Sequence, residues 1–181
     1  MKELARKIYE ISHLTGNFTL RSGKTSTEYF DKYQFECQPE LLRAIAKELS
    51  NLVPQDTEVL AGLEMGGIPI ATALSLETGL PTILVRKQAK SYGTAKLAEG
   101  PDIKGKKVCI IEDVITTGGQ VAESCKYLRE LGAIIDSVLC VIYRGEDKNN
   151  EPKIKDSHLH MWPLFTKKQF DSWFKQINKF Y

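Results

Sequence analysis

Four stretches of the chain are continuous apolar runs: EVLAG (58–62), TILVR (82–86), KVCIIE (107–112) and SVLCVIYR (137–144). Runs of this length without polar alternation are the mark of strands buried on both faces of a sheet. Between the first two lies IPIATALSLETG, and between the last two GGQVAESCKYLRELG. Both have helical spacing and close on a glycine, Gly79 or Gly132, the residue that ends a helix most readily. Strand, helix and strand repeated in this way predict an α/β fold with a parallel sheet and crossover helices.

The flanks are less regular. Leu4, Ile8 and Ile11 recur at helical spacing, so the chain is expected to open on an amphipathic helix. FTLRSG and TEYFDKY, with Gly23 between them, suggest a hairpin. Pro39 begins a second helix, marked by Leu42, Ile45, Ala46 and Leu49. Residues 88–104 join two strands without clear periodicity and carry Lys90, Lys96 and Lys104 with Gly93 and Gly100. A connection of that length in a compact domain suits a mobile lid. The tail from about 146 to 165 is polar and then aromatic. Thr166 to Gln169 then offers a capping box for a last helix, with Phe170, Trp173, Phe174 and Ile177 as its apolar stripe.

Composition narrows the classes. With 181 residues, 42% of them hydrophobic and 27% charged, one domain with a single sizeable core is expected. A net charge of +2 gives no electrostatic footprint for nucleic acid. No run is long enough to span a membrane, and the charged start lacks a signal peptide's apolar core. Cys37, Cys109, Cys125 and Cys140 lie far apart, which suits a reducing, cytoplasmic setting and argues against a zinc ribbon. His158 and His160 have no third ligand nearby and read as a surface pair.

The chemistry concentrates in VCIIEDVITTGGQ, residues 108–120. An apolar strand ends in Glu112 and Asp113, and Thr116-Thr117-Gly118-Gly119 turns directly into a helix. Ligands of open α/β sheets bind at the carboxyl ends of strands. A small-residue turn lets backbone N–H groups surround an anion, and the helix N-terminus adds partial positive charge. Two carboxylates beside a phosphate make sense only if the ligand also brings hydroxyl donors or Mg²⁺, so the pattern asks for a sugar phosphate. GPDIKGKK (100–107) nearly matches a Walker A loop, but Lys107 stands where Ser or Thr is required and the segment precedes its strand.

That segment resembles the phosphoribosyl-diphosphate signature of type I phosphoribosyltransferases. Three more stretches narrow the resemblance to the orotate phosphoribosyltransferases. FTLRSGKTSTEYFD (18–31) is similar to their hood, GLEMGGIPIATALSLETGLP (62–81) to their second strand and helix, and VRKQAKSYGTAKLAEG (85–100) to their catalytic loop. The resemblance implies a parallel-sheet core from about 39–145, a small hood over 1–38, a flexible catalytic loop and a C-terminal extension over 146–181. It implies transfer of the phosphoribosyl group from 5-phosphoribosyl 1-diphosphate to orotate in pyrimidine synthesis, with no protein nucleophile.

The resemblance also assigns roles. Lys90, Glu112 and Asp113 would be catalytic. Arg21, Met65, Gly66, Arg86, Lys87, Lys90, Tyr92 and the run Glu112, Asp113, Val114, Ile115, Thr116, Thr117, Gly118, Gly119 and Gln120 would hold phosphoribosyl diphosphate. Tyr29 and Phe30 would wall the orotate ring, Thr116 would contact it, and Arg144 would meet its carboxylate. Mg²⁺ would be held by substrate oxygens and water rather than by direct protein ligands. The chain would be a homodimer with Lys87 and Lys90 reaching the partner's site. Tyr92 stands where the family often has His, Gly66 where it often has Lys, and Arg21 where Lys is common. A purine phosphoribosyltransferase would keep 112–120 without needing Arg144 or this hood. A phosphoribosyl-diphosphate sensor that binds nucleic acid would need a basic face.

Overall fold

The computed structural model describes residues 1–19, 23–87, 97–145 and 158–174. It opens on α1 (Lys2–Ser12), followed by the antiparallel hairpin β1 (His13–Thr19) and β2 (Thr25–Phe30). The short α2 (Tyr33–Glu36) and α3 (Pro39–Ser50) lead into the core. There β3 (Val59–Leu63), α4 (Gly67–Thr78), β4 (Thr82–Val85), β5 (Ala98–Glu99), β6 (Lys107–Ile115), α5 (Gly119–Glu130) and β7 (Ile134–Tyr143) follow in turn. The described chain closes with β8 (His160–Thr166) and α6 (Lys167–Phe174).

The six-stranded sheet has the order β5-β4-β3-β6-β7-β8. All its pairings are parallel except β4 with β5. The four apolar runs become β3, β4, β6 and β7 as their sequence predicts, and β6 shows why they do not alternate. Cys109 and Ile111 enter the core that α1, α3, α4 and α6 build on one face. Val108 and Ile110 enter the other, with Val121, Cys125 and Leu128 of α5. Each fully buried Ile or Leu contributes roughly 1.5–3 kcal/mol. Gly79, at φ 76°, ends α4 as expected of a left-handed C-terminal residue.

Three expectations need correction. The hairpin's second strand ends at Phe30, so Tyr33 of the TEYFDKY stretch belongs to α2 instead. Part of the 88–104 connection is regular, because Ala98–Glu99 pair antiparallel with β4; residues 88–96 lie outside the described residues. The tail contains a strand, β8, that its sequence hid. Pro163 cannot donate to a ladder and reads against a strand, but β8 is the sheet's edge and tolerates it. The capping box forms: the Thr166 N–H donates to Gln169 Oε1 at 2.7 Å, and the Gln169 N–H to Thr166 Oγ1 at 3.3 Å. His160 opens β8 and His158 lies in the preceding turn, both exposed.

Candidate active site

The carboxyl ends of β3, β6 and β7 lie side by side, because the parallel ladders place Gly62 beside Ile111 and Ile115 beside Tyr143. The loops leaving those ends therefore gather at one edge of the sheet. The β6 loop is the predicted turn. Gly118 takes a left-handed conformation at φ 69° and starts α5, and no side chain caps that helix. The first intrahelical bond is made by the Ala122 N–H to Gly118 O at 3.0 Å. The amides of Gly119, Gln120 and Val121 precede it and so have no acceptor within the helix. Thr116, Thr117, Gly119 and Gln120 are exposed around this cradle, with Val114 half-buried and Ile115 buried behind it.

The acidic pair sits just below. Glu112 is 8% exposed and Asp113 fully buried. Asp113 Oδ1 accepts from the Val114 N–H, and Lys32 Nζ lies 2.5 Å from its Oδ2. Burial raises the Glu112 carboxyl well above the usual carboxylate range, with Asp113 reinforcing the shift. Burial acts the same way on Asp113, yet hydrogen bonds from Glu112, Glu36 and Lys32 outweigh it and hold Asp113 low. The pair is thus pushed apart, Glu112 upward and Asp113 downward.

The β3–α4 turn closes on the same spot. A Cβ on Gly66 would stand 1.8 Å from Asp113 Oδ2, and one on Gly67 would stand 2.3 Å from Ile111 O, so only glycine fits at either position. Met65 is exposed, and Gln120 Nε2 donates to the Glu64 carbonyl at 3.2 Å, tying this turn to the start of α5. Beyond β4, the Lys87 N–H donates to Glu64 Oε2 at 3.2 Å, and Arg86 Nε lies 3.9 Å from Glu99. The structure thus brings Met65, Gly66, Glu112, Asp113 and the 116–120 turn together, with Lys87 at the rim. Arg86 faces Glu99. Arg21, Lys90 and Tyr92 lie outside the described residues.

A cavity of about 340 Å³ opens between the hairpin and the end of β7. Tyr29, Phe30 and Arg144 line it together, as the sequence suggests. Thr116 is at the neighbouring strand end but not among the lining residues. The remaining walls come from Tyr9, His13, Ser26, Glu28, Ile142, Lys167, Phe170 and Asp171. Lys167, the first residue of α6, is a second cation beside Arg144, because Tyr143 and Thr166 are paired on adjacent strands. It escaped the sequence reading together with Lys32 and Glu36. Lys167 was hidden by the missed strand, and the other two act across long separations. An anion cradle, a buried acidic pair and an aromatic, cation-bearing cavity at one sheet edge define a phosphoribosyl-transfer site.

The comparisons agree with that class. A profile described as phosphoribosyl transferase domain matches residues 34–177, and the chain belongs to that family. It is 51% identical over 169 residues to an orotate phosphoribosyltransferase of Nocardioides sp., covering 93% of each chain. It is 38% identical over 157 residues to that of Methanocaldococcus jannaschii, covering 87% of this chain and 88% of the relative. The solved orotate phosphoribosyltransferase of Mycobacterium tuberculosis H37Rv superposes with a TM-score of 0.79 at 27% identity, over 93% of this chain and 97% of that one. Within the family the chain is placed among the orotate phosphoribosyltransferases.

Proposed function

We infer that the chain transfers the 5-phosphoribosyl group from 5-phosphoribosyl 1-diphosphate to orotate, giving orotidine 5′-monophosphate and diphosphate for pyrimidine synthesis. The observation that carries this reading is the juxtaposition of two sites at one sheet edge. The 116–119 turn and Asp113 suit a sugar phosphate, and the cavity beside them suits a flat anionic ring. Arg144 supplies a guanidinium for bidentate pairing with a carboxylate, and Tyr29 and Phe30 supply aromatic walls. A purine has no carboxylate to use Arg144.

Orotate's ring nitrogen displaces diphosphate at the anomeric carbon, through a transition state with oxocarbenium character. Asp113 accepts from the ribose hydroxyls, and the α5 amides bind the 5′-phosphate. Lys90, with Lys87 and Tyr92 of the same sequence stretch, stabilises the departing diphosphate, and Arg21 supplies a further cation for it. No nucleophile is called for, and the Cys109 thiol, pushed up to about 12 by burial, is not one. Catalysis comes from positioning and charge stabilisation.

Mg²⁺ fits this donor set as a substrate-borne ion. Glu112 Oε2 is buried without a hydrogen-bond partner and would receive a metal-bound water. Bound to the diphosphate, Mg²⁺ would offset charge on the leaving group. A homodimer is the assembly this reading favours, with Lys87 and Lys90 serving the partner's site. The exposed Leu76 and Leu84 supply apolar surface for an interface. Four free cysteines, three of them buried, suit the cytoplasm.

A base-selectivity assay tests the reading. With phosphoribosyl diphosphate and Mg²⁺, diphosphate release is expected with orotate and not with uracil, adenine or hypoxanthine. Release with a purine alone would overturn the base assignment.

A further inference from the structure

Lys32 and Glu36 belong to none of the motifs that define the site, yet both reach its centre. Lys32 immediately precedes α2 and Glu36 is its last residue, in the short helix directly after the hairpin that carries Tyr29 and Phe30. Lys32 Nζ is 2.5 Å from Oδ2 of the fully buried Asp113. Glu36 is 5% exposed, and its Oε1 would stand 2.7 Å from a Cβ on Gly66. An ammonium, two carboxyl groups and a bare glycine turn therefore converge on one point, beneath the anion cradle.

Such an arrangement is a poor way to hold a helix on a sheet. Desolvating an ammonium and a carboxylate offsets most of their attraction, and an apolar contact of similar volume would stabilise α2 as well or better. The pair makes sense if Asp113 has to stay a fixed carboxylate in a buried place beside an anionic ligand. Removing Lys32 would leave that charge uncompensated. The Gly66 turn has no room for a cation of its own, because Asp113 and Glu36 occupy the space a side chain would need.

We propose that Lys32 is a positioning residue for phosphoribosyl-diphosphate binding: its ammonium balances and orients Asp113 toward the ribose hydroxyls, while Glu36 packs over Gly66. The proposal rests on the phosphoribosyl-diphosphate reading of this site. It also links the two substrates mechanically, since Tyr29 and Phe30 of the base cavity are joined to Lys32 through Asp31 alone.

The test is a calorimetric titration with 5-phosphoribosyl 1-diphosphate and Mg²⁺ in the absence of any base. Wild type, Lys32→Met, Lys32→Arg, Asp113→Asn and the Lys32→Met/Asp113→Asn double variant are compared. Lys32→Met is expected to weaken binding about 10- to 100-fold, and Lys32→Arg to recover most of that loss. In the double variant the loss should be no greater than in Asp113→Asn alone, because the lysine acts through the aspartate. Binding by Lys32→Met within about twofold of wild type, or losses that simply add, would overturn the proposal. A merely structural lysine would lower the melting temperature without this coupling. If wild type binds the diphosphate but turns over no orotate, the base assignment fails while the Lys32 comparison still decides. If wild type does not bind it, both readings fall.

Discussion

The backbone N–H of Arg144 donates to the carbonyl of Ile115 across 2.8 Å, one residue beyond the Ile115–Tyr143 pairing of β6 with β7. That bond places the guanidinium-bearing residue beside the Thr116 turn, so the base cavity and the phosphate cradle share a rigid boundary. Replacing Arg144 by Ala should therefore raise the KM for orotate about 10- to 100-fold, the range for losing a charge-assisted hydrogen bond. The KM for phosphoribosyl diphosphate should change much less. Arg144→Lys should recover only part of the loss, because an ammonium cannot pair bidentately. Steady-state kinetics with each substrate varied in turn check this, and an equal rise in both constants would contradict it.

Much of this site was legible because its chemistry is local in sequence. Glu112, Asp113 and the 116–119 turn are consecutive, and a strand running straight into a helix fixes where they stand. Arg144 was legible from its position at the end of an apolar run. Lys32, Glu36 and Lys167 were not. Lys32 and Glu36 meet Asp113 only through the tertiary fold, and the stretch that holds Lys32 read as a strand. Lys167 depends on β8, whose Pro163 obscured the edge strand that sets it beside Arg144. Long-range contacts leave no periodic trace, whereas buried strands do.

Gly66 supplies a second prediction with an informative sign. Its backbone, at φ −72° and ψ −29°, is ordinary helical geometry that alanine also adopts. On backbone entropy alone, Gly66→Ala would stabilise the protein by about 0.4–1 kcal/mol. The added Cβ would stand 1.8 Å from Asp113 Oδ2, however, so Asp113 must move or the turn must open. Overpacking of this kind costs about 1–3 kcal/mol. Urea unfolding should therefore show net destabilisation, with weaker phosphoribosyl-diphosphate binding. A more stable variant with unchanged binding would show that the turn has slack.

Glu36 gives the protein a pH signature. Burial, followed by hydrogen bonding and charge repulsion from Asp113, raises its carboxyl from 4.5 to about 9. Below the lower value both folded and unfolded chains hold this proton. Between the two values only the folded chain keeps it, so stability falls as pH rises through that window and levels off above it. Glu36→Gln removes the titration and should flatten this part of the profile. Urea midpoints at about pH 6 and pH 8.5 decide the matter. An identical drop in wild type and variant would assign the slope to other groups.

The two carboxyl groups at the end of β6 should respond unequally to becoming amides. Burial and the neighbouring Asp113 push the Glu112 carboxyl well above the usual carboxylate range, so the neutral amide of Glu112→Gln is the smaller change of the two. Asp113 is held as a carboxylate against burial by Glu112, Glu36 and Lys32. Asp113→Asn therefore removes the charge that Lys32 balances and leaves an unpaired ammonium about a third exposed. Phosphoribosyl-diphosphate affinity should fall by roughly tenfold or more in Asp113→Asn, about 1.4 kcal/mol or above, and by only a few-fold in Glu112→Gln. Titrations of both variants under the same Mg²⁺ concentration measure the difference. Equal losses would mean that both carboxyls meet the ligand as anions, with the ribose hydroxyls shared between them.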